Sequence, residues 1–272
     1  MGDLSDEYTR EPRTLTEDEE KLLAKQDESL VGSFKATKFV KESKKHWDLF
    51  YKRNEERFFR DRNWTLREFY ELRGNSSSSN MVLLEVGCGV GNFIFPLMRE
   101  GLADFIYACD ISFKAIELVK ENKEYNPGII NAFQIDVSTT RLETVIQPGQ
   151  ANVASVIFVL SAIDPSRHMF VLENIFNQLA VNGLLLFRDY GITDMAQIRF
   201  GRGTKIADNH YLRHDGTQSY FFSIEYLTIM AESVGFKTES CVYVNRRTVN
   251  KKEEIDKPRV FLQAKFRKEP TS

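Results

Sequence analysis

The sequence predicts an α/β fold: a mostly parallel seven-stranded sheet with helices on both faces and an N-terminal helical lid. Three observations predict it. From residue 81 onward five near-continuous apolar runs alternate with amphipathic segments, a glycine-rich turn follows the first run, and a basic, aromatic-rich stretch at helical spacings precedes them all. A chain of 272 residues suffices for one sizeable domain with additions and needs no disulfide strapping.

Residues 1–33 are an acidic segment, with 4 Lys/Arg against 10 Asp/Glu in residues 1–30, and are expected to be disordered or to hold a loose surface helix. Thr16 and Glu19 have capping-box spacing for such a helix. Residues 34–80 read as a basic, aromatic-rich helical lid and linker. Trp47, Phe50, Tyr51, Phe58, Trp64 and Phe69 are interleaved there with cations, 12 Lys/Arg against 7 Asp/Glu over 35–73, and GNSSSSN (74–80) is the connector.

Residues 81–268 form the main domain. MVLLEV (81–86), FIYAC (105–109), NAFQI (131–135), VASVIFVL (153–160) and GLLLFR (183–188) are apolar throughout, as strands covered on both faces must be. KAIELVKEN (114–122) and RHMFVLENIFNQLA (167–180) place apolar residues three and four apart, which predicts helices packed on the sheet. CVYVNR (241–246) and RVFLQAKF (259–266) are expected to close it as a strand pair.

A formal net charge of −2 makes no case for a polyanionic partner, but residues 245–272, with 9 Lys/Arg against 4 Asp/Glu, give a second basic segment; solvated helix faces explain such runs equally well. Cys88, Cys109 and Cys241 match neither a zinc ribbon nor a secreted disulfide framework, and four scattered His residues lack cysteine pairs. No metal is expected. With no basic leader before an apolar run and no apolar run of about 18 residues, neither export nor a membrane span is expected, and the location is expected to be cytoplasmic and also nuclear.

LLEVGCGVGN (83–92) is the strongest local signal. Gly87 permits the tight turn, Gly89 lets the backbone approach a ligand, and Gly91 relieves crowding where a helix begins. A structural turn, a dinucleotide site and an adenosylmethionine site all remain open on this loop alone. The spacing G-x-G-x-G with Glu85 just ahead suits a cationic sulfonium–ammonium ligand better than a pyrophosphate. Glu85 either accepts from loop amides or faces the donor's amino group. Asp110, 19 residues past Gly91, suits ribose hydroxyls, and Asp136 suits an adenine amine with Val137 and Ile157 as apolar faces for the ring; both carboxylates also suit helix caps, with Ser112 and Ser138 nearby.

In the order LLEVGCGVGN, YACDIS, FVLSAI and FRDYG, flanked by HWDLFYKRN (46–54), FFRDRNW (58–64), YLRHDGTQSYFF (211–222) and VNKKEE (249–254), the chain resembles the class I methyltransferase-like enzymes that make 3-methylcytidine in tRNA. The likeness covers residues 15 to 267, and TVNKKEE followed by KPRVFLQAKF resembles the shorter, serine-tRNA-specific members. It implies a Rossmann-like class I methyltransferase fold, with residues 81–268 an S-adenosylmethionine-dependent methyltransferase domain. The implied reaction is methylation of N3 of cytidine at position 32 of the anticodon loop, on serine tRNAs, with seryl-tRNA synthetase as a possible companion. It also implies that Trp47 and Tyr51 close over the donor; without it, aromatics four residues apart read as core. The chain departs from the family pattern at Asn209-His210-Tyr211 and Gly216-Thr217-Gln218, where relatives commonly have Asn-Phe-Tyr and Gly-Thr-Arg, so it lacks an aromatic and an arginine at those positions.

Because N3 of cytosine already carries a lone pair, alignment dominates the chemistry and no strong general base is required. A carboxylate near the exocyclic amine would stabilise the cationic product, and Asp189 is the candidate; its structural alternative is a buried partner for Arg188 or Arg199. Tyr190 is expected to stack on the flipped base and Arg259 to contact its carbonyl or a phosphate. Arg188, Lys44, Lys45, Lys52, Arg53, Arg57, Arg60 and Arg62 are the remaining candidate RNA contacts. The rival readings are a methyltransferase of protein or small molecules and a non-catalytic RNA-binding adaptor.

Overall fold

The computed structural model describes residues 7–56, 58, 61–62, 64–73, 81–250 and 255–270. Arg57 and Arg60, the connector 74–80 and residues 251–254 of the VNKKEE segment lie outside the described residues.

From residue 7 onward the acidic segment is held to the rest of the fold by a strand pairing, a surface helix and specific polar contacts. Strand β1 (Glu7–Thr9) pairs antiparallel with the C-terminal hairpin, and α1 (Glu17–Asp27) carries the capping box that Thr16 and Glu19 predict. Arg13 joins Glu19 at 2.9 Å and the Thr193 carbonyl at 3.0 Å. Gln26, 2% exposed, donates to the carbonyls of Gln197, Ile198 and Phe200 and accepts from the Tyr211 hydroxyl. Those carbonyls lie at and just past the end of a short helix, so one amide side chain helps close a helix terminus, although the Gln197 carbonyl also accepts from the Phe200 amide at 3.3 Å. Composition does not register such contacts.

The lid comprises α2 (Ser33–Lys41), α3 (Ser43–Asn54) and the short α4 (Thr65–Glu68). After it come β2 (Val82–Val86), α5 (Ile94–Arg99), β3 (Phe105–Asp110), α6 (Phe113–Glu121), β4 (Ile130–Gln134), β5 (Ala151–Ile157), α7 (His168–Gln178) and β6 (Leu179–Tyr190). Then α8 (Met195–Ile198) leads to a three-stranded sheet of β7 (Lys205–Ala207), β8 (His210–Leu212) and β9 (Gln218–Tyr220), followed by α9 (Ile224–Val234), β10 (Phe236–Asn250) and β11 (Ile255–Lys268).

The main sheet has the order β1-β10-β11-β6-β5-β2-β3-β4. Strands β2 to β6 are parallel, and β11, β10 and β1 continue antiparallel, so the seven expected strands gain an eighth from the N-terminus. The chain runs outward from β2 through β3 to β4 and then returns to β5 on the other side of β2. This reversal opens a crevice at the strands' C-terminal ends, where open α/β sheets bind ligands. Leu84 and Val86 enter one core with α7 and α9, while Leu83 enters the other with α5 and α6, as alternation along a doubly covered strand requires.

Candidate functional site

A cavity of about 750 Å³ lies in that crevice, its floor made by the ends of β2, β3, β4 and β5 and its roof by α2 and α3. Segment 162–167 and the small β7–β9 sheet close one side.

The glycine turn shapes the floor. Gly87 and Gly89 line the cavity at φ +69° and +55°; a Cβ on Gly87 would lie 2.3 Å from Val159, and one on Gly89 would lie 2.8 Å from the Tyr51 hydroxyl. Gly91, at φ +91°, turns from the cavity toward the Phe95 ring, which a Cβ there would strike at 2.2 Å. The first two glycines keep the cavity open, and the third lets α5 begin.

Asp110 ends β3 with its side chain in the cavity wall, one oxygen accepting from the Gly89 amide and the other from the Ser112 amide, both at 2.9 Å. Burial pushes its carboxyl up to about 6, against those two amides. The cap of α6 is Ser112, and Asp48 of α3 reinforces it by accepting from Ser112 Oγ at 2.6 Å and from the Lys114 amide at 3.3 Å. Asp110 is therefore not the cap. Asp136 lines the cavity beside Val137 and closes a turn rather than capping a helix: its Oδ1 accepts from the Ser138 amide and hydroxyl, and the next helical turn begins only at Leu142.

Glu85 lies buried behind the turn and is not on the wall; its Oε2 has no hydrogen-bond partner among the described residues, and burial, with the Asp110 charge adding and Arg62 opposing, pushes its carboxyl up to about 8. Trp47 and Tyr51, four residues apart on α3, both line the roof, and Tyr51 packs with Val90 and Ala115.

Several expected site residues lie elsewhere. Ile157 points into the α5/α6 core and offers the cavity no face; its carbonyl accepts from Arg62 Nη1 at 3.0 Å. Phe158, at φ +58°, takes the wall instead. Arg62 sits under the lid in the cavity wall with its guanidinium 5.8 Å from the Phe158 ring, not along an outer RNA-tracking face.

Asp189 is fully buried and off the cavity wall. Its two oxygens accept from the Ser161 and Tyr190 amides at 2.9 Å, so it pins the turn at 160–162 and pairs with neither Arg188 nor Arg199. Arg188 is likewise removed from RNA: 1% exposed, it pairs with Glu68 at 3.2 Å, donates to Gln263 and stacks over Trp64. Tyr190 is packed against Phe158, Phe221 and Phe261, with the guanidinium groups of Arg213 and Arg259 above its ring. Arg259 is held by buried Asp194 at 2.9 Å. Lys44, Lys45, Lys52 and Arg53 are exposed on α3, with Lys45 3.8 Å from Glu42.

Phe158, Arg62, His210 and Gln218 are among the wall residues that sequence reasoning missed as parts of the cavity. The positive φ of Phe158 has no signature in an apolar run. The departures at 210 and 218 were the available signal for the last two. Among the described residues no group of three His, Cys, Asp or Glu side chains could hold a metal ion, and no helix is long and apolar enough to cross a membrane.

Comparison with known proteins agrees with this arrangement. A family model described as a methyltransferase domain matches residues 53–240. The mouse tRNA N(3)-cytidine methyltransferase METTL6 is 48% identical over 257 residues, covering 94% of this chain and 90% of the relative. The human METTL6 is 46% identical over 260 residues, covering 95% and 91%. Among solved structures, a SAM-dependent methyltransferase from Methanosarcina mazei superposes with a TM-score of 0.55 at 13% identity, covering 71% of this chain and 95% of that one. That last likeness concerns the fold.

Proposed function

The chain belongs to the tRNA N(3)-cytidine methyltransferase family, and we propose that it transfers the methyl group of S-adenosylmethionine to N3 of the cytidine at position 32 in the anticodon loop of serine tRNAs. The observation that carries the reading is the meeting of Gly87, Gly89, Asp110 and Asp136 with the roof aromatics Trp47 and Tyr51 around one cavity.

The residues fit the donor. A Cβ-free floor lies beneath the Tyr51 hydroxyl, and the cavity, at about 750 Å³, falls in the range of roughly 300–1,000 Å³ of small-ligand sites. When bound, S-adenosylmethionine supplies a methyl group on cationic sulfur. Asp110 keeps lone pairs for the ribose hydroxyls after meeting its two amides, and Asp136 Oδ2 suits the adenine amine beside Val137. Trp47 and Tyr51 cover the ligand from α3 and exclude water.

The cytosine N3 lone pair lies in the ring plane and needs no deprotonation, so these side chains act by holding two reactants in line. Such alignment is worth roughly 7–11 kcal/mol. Phe158 offers a ring face at the wall, with Arg62 fixed over it by the Ile157 carbonyl. Asp189 contributes as a positioning residue, because it fixes the turn that carries Ala162 and Ile163 into the wall. The anticodon loop supplies an unpaired base that can be turned outward, and the exposed α3 cations Lys44, Lys45, Lys52 and Arg53 suit phosphates beside it.

The test is transfer of labelled methyl to purified serine and threonine tRNAs, with and without seryl-tRNA synthetase, followed by nucleoside analysis. We expect 3-methylcytidine in serine tRNA, with the synthetase raising the rate. Label found only on protein, or in tRNA as another nucleoside, overturns the reading.

A further inference from the structure

Among the described residues, three Lys or Arg side chains line the cavity: Lys41, Arg62 and Arg167. Lys41 and Arg167 are exposed, whereas Arg62 is half-buried under the lid. The wall's other charged side chains are the acids Asp110, Asp136 and Asp164, and Glu85 lies behind the turn. Arg62 is thus the one sheltered cation in an acidic interior among the described residues.

Its position is preset. The Arg62 amide donates to the Asn92 carbonyl at 2.8 Å, and its own carbonyl accepts from the Thr65 amide at 3.0 Å and the Thr65 hydroxyl at 2.7 Å. The guanidinium donates from Nη1 to the Ile157 carbonyl at 3.0 Å. A guanidinium has five N–H groups, and that bond uses one of them. Among the described residues Arg62 has no carboxylate within ion-pair distance, and none of its nitrogens is both sealed and unpartnered. Its remaining N–H groups therefore stay open to a ligand.

The sheet order places Arg62 relative to the other contacts. Along β5-β2-β3-β4 the strand ends present, in a row, the Ile157 carbonyl that holds Arg62, the glycine turn, Asp110 and, just past β4, Asp136. Neighbouring strands are about 4.8 Å apart. With the adenine amine at Asp136 and the ribose hydroxyls at Asp110, the rest of the methyl donor continues over the glycine turn toward the end of β5. That remainder is an amino-acid arm, and its α-carboxylate is the donor's one anionic group. An anion set among acids is costly unless a cation meets it.

We propose that Arg62 holds the α-carboxylate of the methyl donor through its open N–H groups, and so selects ligands that carry this group. The proposal rests on the cavity being the donor site. A guanidinium fork matches both oxygens of a carboxylate, which a lysine ammonium does not.

The test compares two ligands by calorimetry on the full chain. S-adenosylhomocysteine carries the carboxylate, and its decarboxylated form keeps the amine and lacks only that group. The chains are the parent, Arg62→Lys and Arg62→Met, with serine tRNA binding measured alongside on filters. In the parent, decarboxylation should weaken binding roughly tenfold or more. In Arg62→Met the two ligands should bind within about twofold of each other, with Arg62→Lys between the two.

A parent that binds both ligands alike overturns the proposal whether or not any variant folds. So does an Arg62→Met chain that loses the same factor for both ligands, because Arg62 then serves only to pin the Ile157 carbonyl. Loss of tRNA binding in Arg62→Met with S-adenosylhomocysteine affinity unchanged assigns Arg62 to RNA and overturns it too. Arg62→Gln replaces Arg62→Met if that variant does not fold. A parent that does not bind S-adenosylhomocysteine overturns the donor site and this proposal together. A parent that binds it but makes no 3-methylcytidine counts against the tRNA reaction and not against Arg62, whose role the ligand ratio decides.

Discussion

Asp48 on the lid helix accepts a 2.6 Å hydrogen bond from the hydroxyl of Ser112, two residues beyond Asp110. Ser112 in turn donates its amide to Asp110, and Asp110 accepts from Gly89. One chain of hydrogen bonds thus runs from lid to glycine turn, linking cover and floor. Asp48→Ala should loosen the roof without touching the floor. A lost hydrogen bond to a charged group is worth about 1.5–3 kcal/mol, so donor affinity should fall roughly tenfold or more. Calorimetry with S-adenosylhomocysteine reads the affinity, and faster proteolysis within residues 34–56 reads the loosening. Unchanged affinity would show that the lid docks independently of Asp48.

Gly89→Ala tests the floor. The new Cβ would sit 2.8 Å from the Tyr51 hydroxyl at φ +55°, so it suffers both a clash and backbone strain. Strain of this kind costs about 1–3 kcal/mol. Removing the hydroxyl by Tyr51→Phe relieves only the clash. The double variant should therefore recover part of the lost donor affinity and none of the strain-related loss in melting temperature. Full recovery of both would place the whole effect in the clash.

The spacing of Gly87, Gly89, Asp110 and Asp136 was legible because each stands at the end of a buried strand, where sequence order and position in the crevice coincide. Residues one step further along were not. Alternation along β5 puts Ile157 on the same face as Val153, in the α5/α6 core, and the positive φ at Phe158 turns the next side chain into the cavity wall. Asp189 also ends an apolar run, but the orphan Ser161 amide claims its carboxylate. Arg188 was read by charge as an RNA contact, whereas Glu68, far away in sequence, neutralises it in the core. Such pairings depend on tertiary approach, to which a local pattern is blind.

Arg188 and Glu68 give a third expectation. Removing one member of a buried ion pair strands the other's charge, at about 3–5 kcal/mol, whereas replacing both by apolar residues of similar volume is often neutral. Glu68→Leu or Arg188→Met alone should lower the denaturant midpoint sharply. The Glu68→Leu/Arg188→Met double variant should recover much of the loss. Additive losses, read in urea melts, would mean that the two side chains act separately.

His168 makes stability depend on pH. Its Nε2 lies 2.9 Å from the Leu160 carbonyl and 3.1 Å from that of Ile163, and its Nδ1 meets the Tyr226 hydroxyl. Burial pushes the ring down to about 4 from 6.5. The unfolded chain therefore binds more protons between these values, so this contribution is complete above about 6.5 and is lost as pH falls toward 4. At about 1.36 kcal/mol per pH unit the loss amounts to a few kcal/mol. Asp110 and Asp189, both raised to about 6 by burial, act oppositely over the same range, favouring the fold as pH falls. The His168 share is isolated by comparison with His168→Gln, which does not titrate. The parent's advantage over this variant in urea melts should shrink steadily from pH 7 to pH 4.5, and a constant gap would show that His168 is not held neutral by its surroundings.

The exposed face of α3 yields the last expectation. Lys45, Lys52 and Arg53 lie on α3 away from the face that carries Trp47 and Tyr51, and Lys44, three residues before Trp47, is exposed at the helix start. Phosphate contacts release counterions, and each one lost reduces the dependence of log affinity on log salt by roughly 0.7–0.9. Reversing all four charges should therefore flatten the salt dependence of serine tRNA binding by about three and weaken binding at low salt most strongly. Donor affinity should hold within twofold, because none of the four cations lines the cavity. An unaltered salt slope would place the RNA on another surface, and the basic stretch of the C-terminal hairpin, with Arg246 and Arg259, is the next to reverse. A fall in donor affinity would instead mean that the substitutions had moved α3 itself.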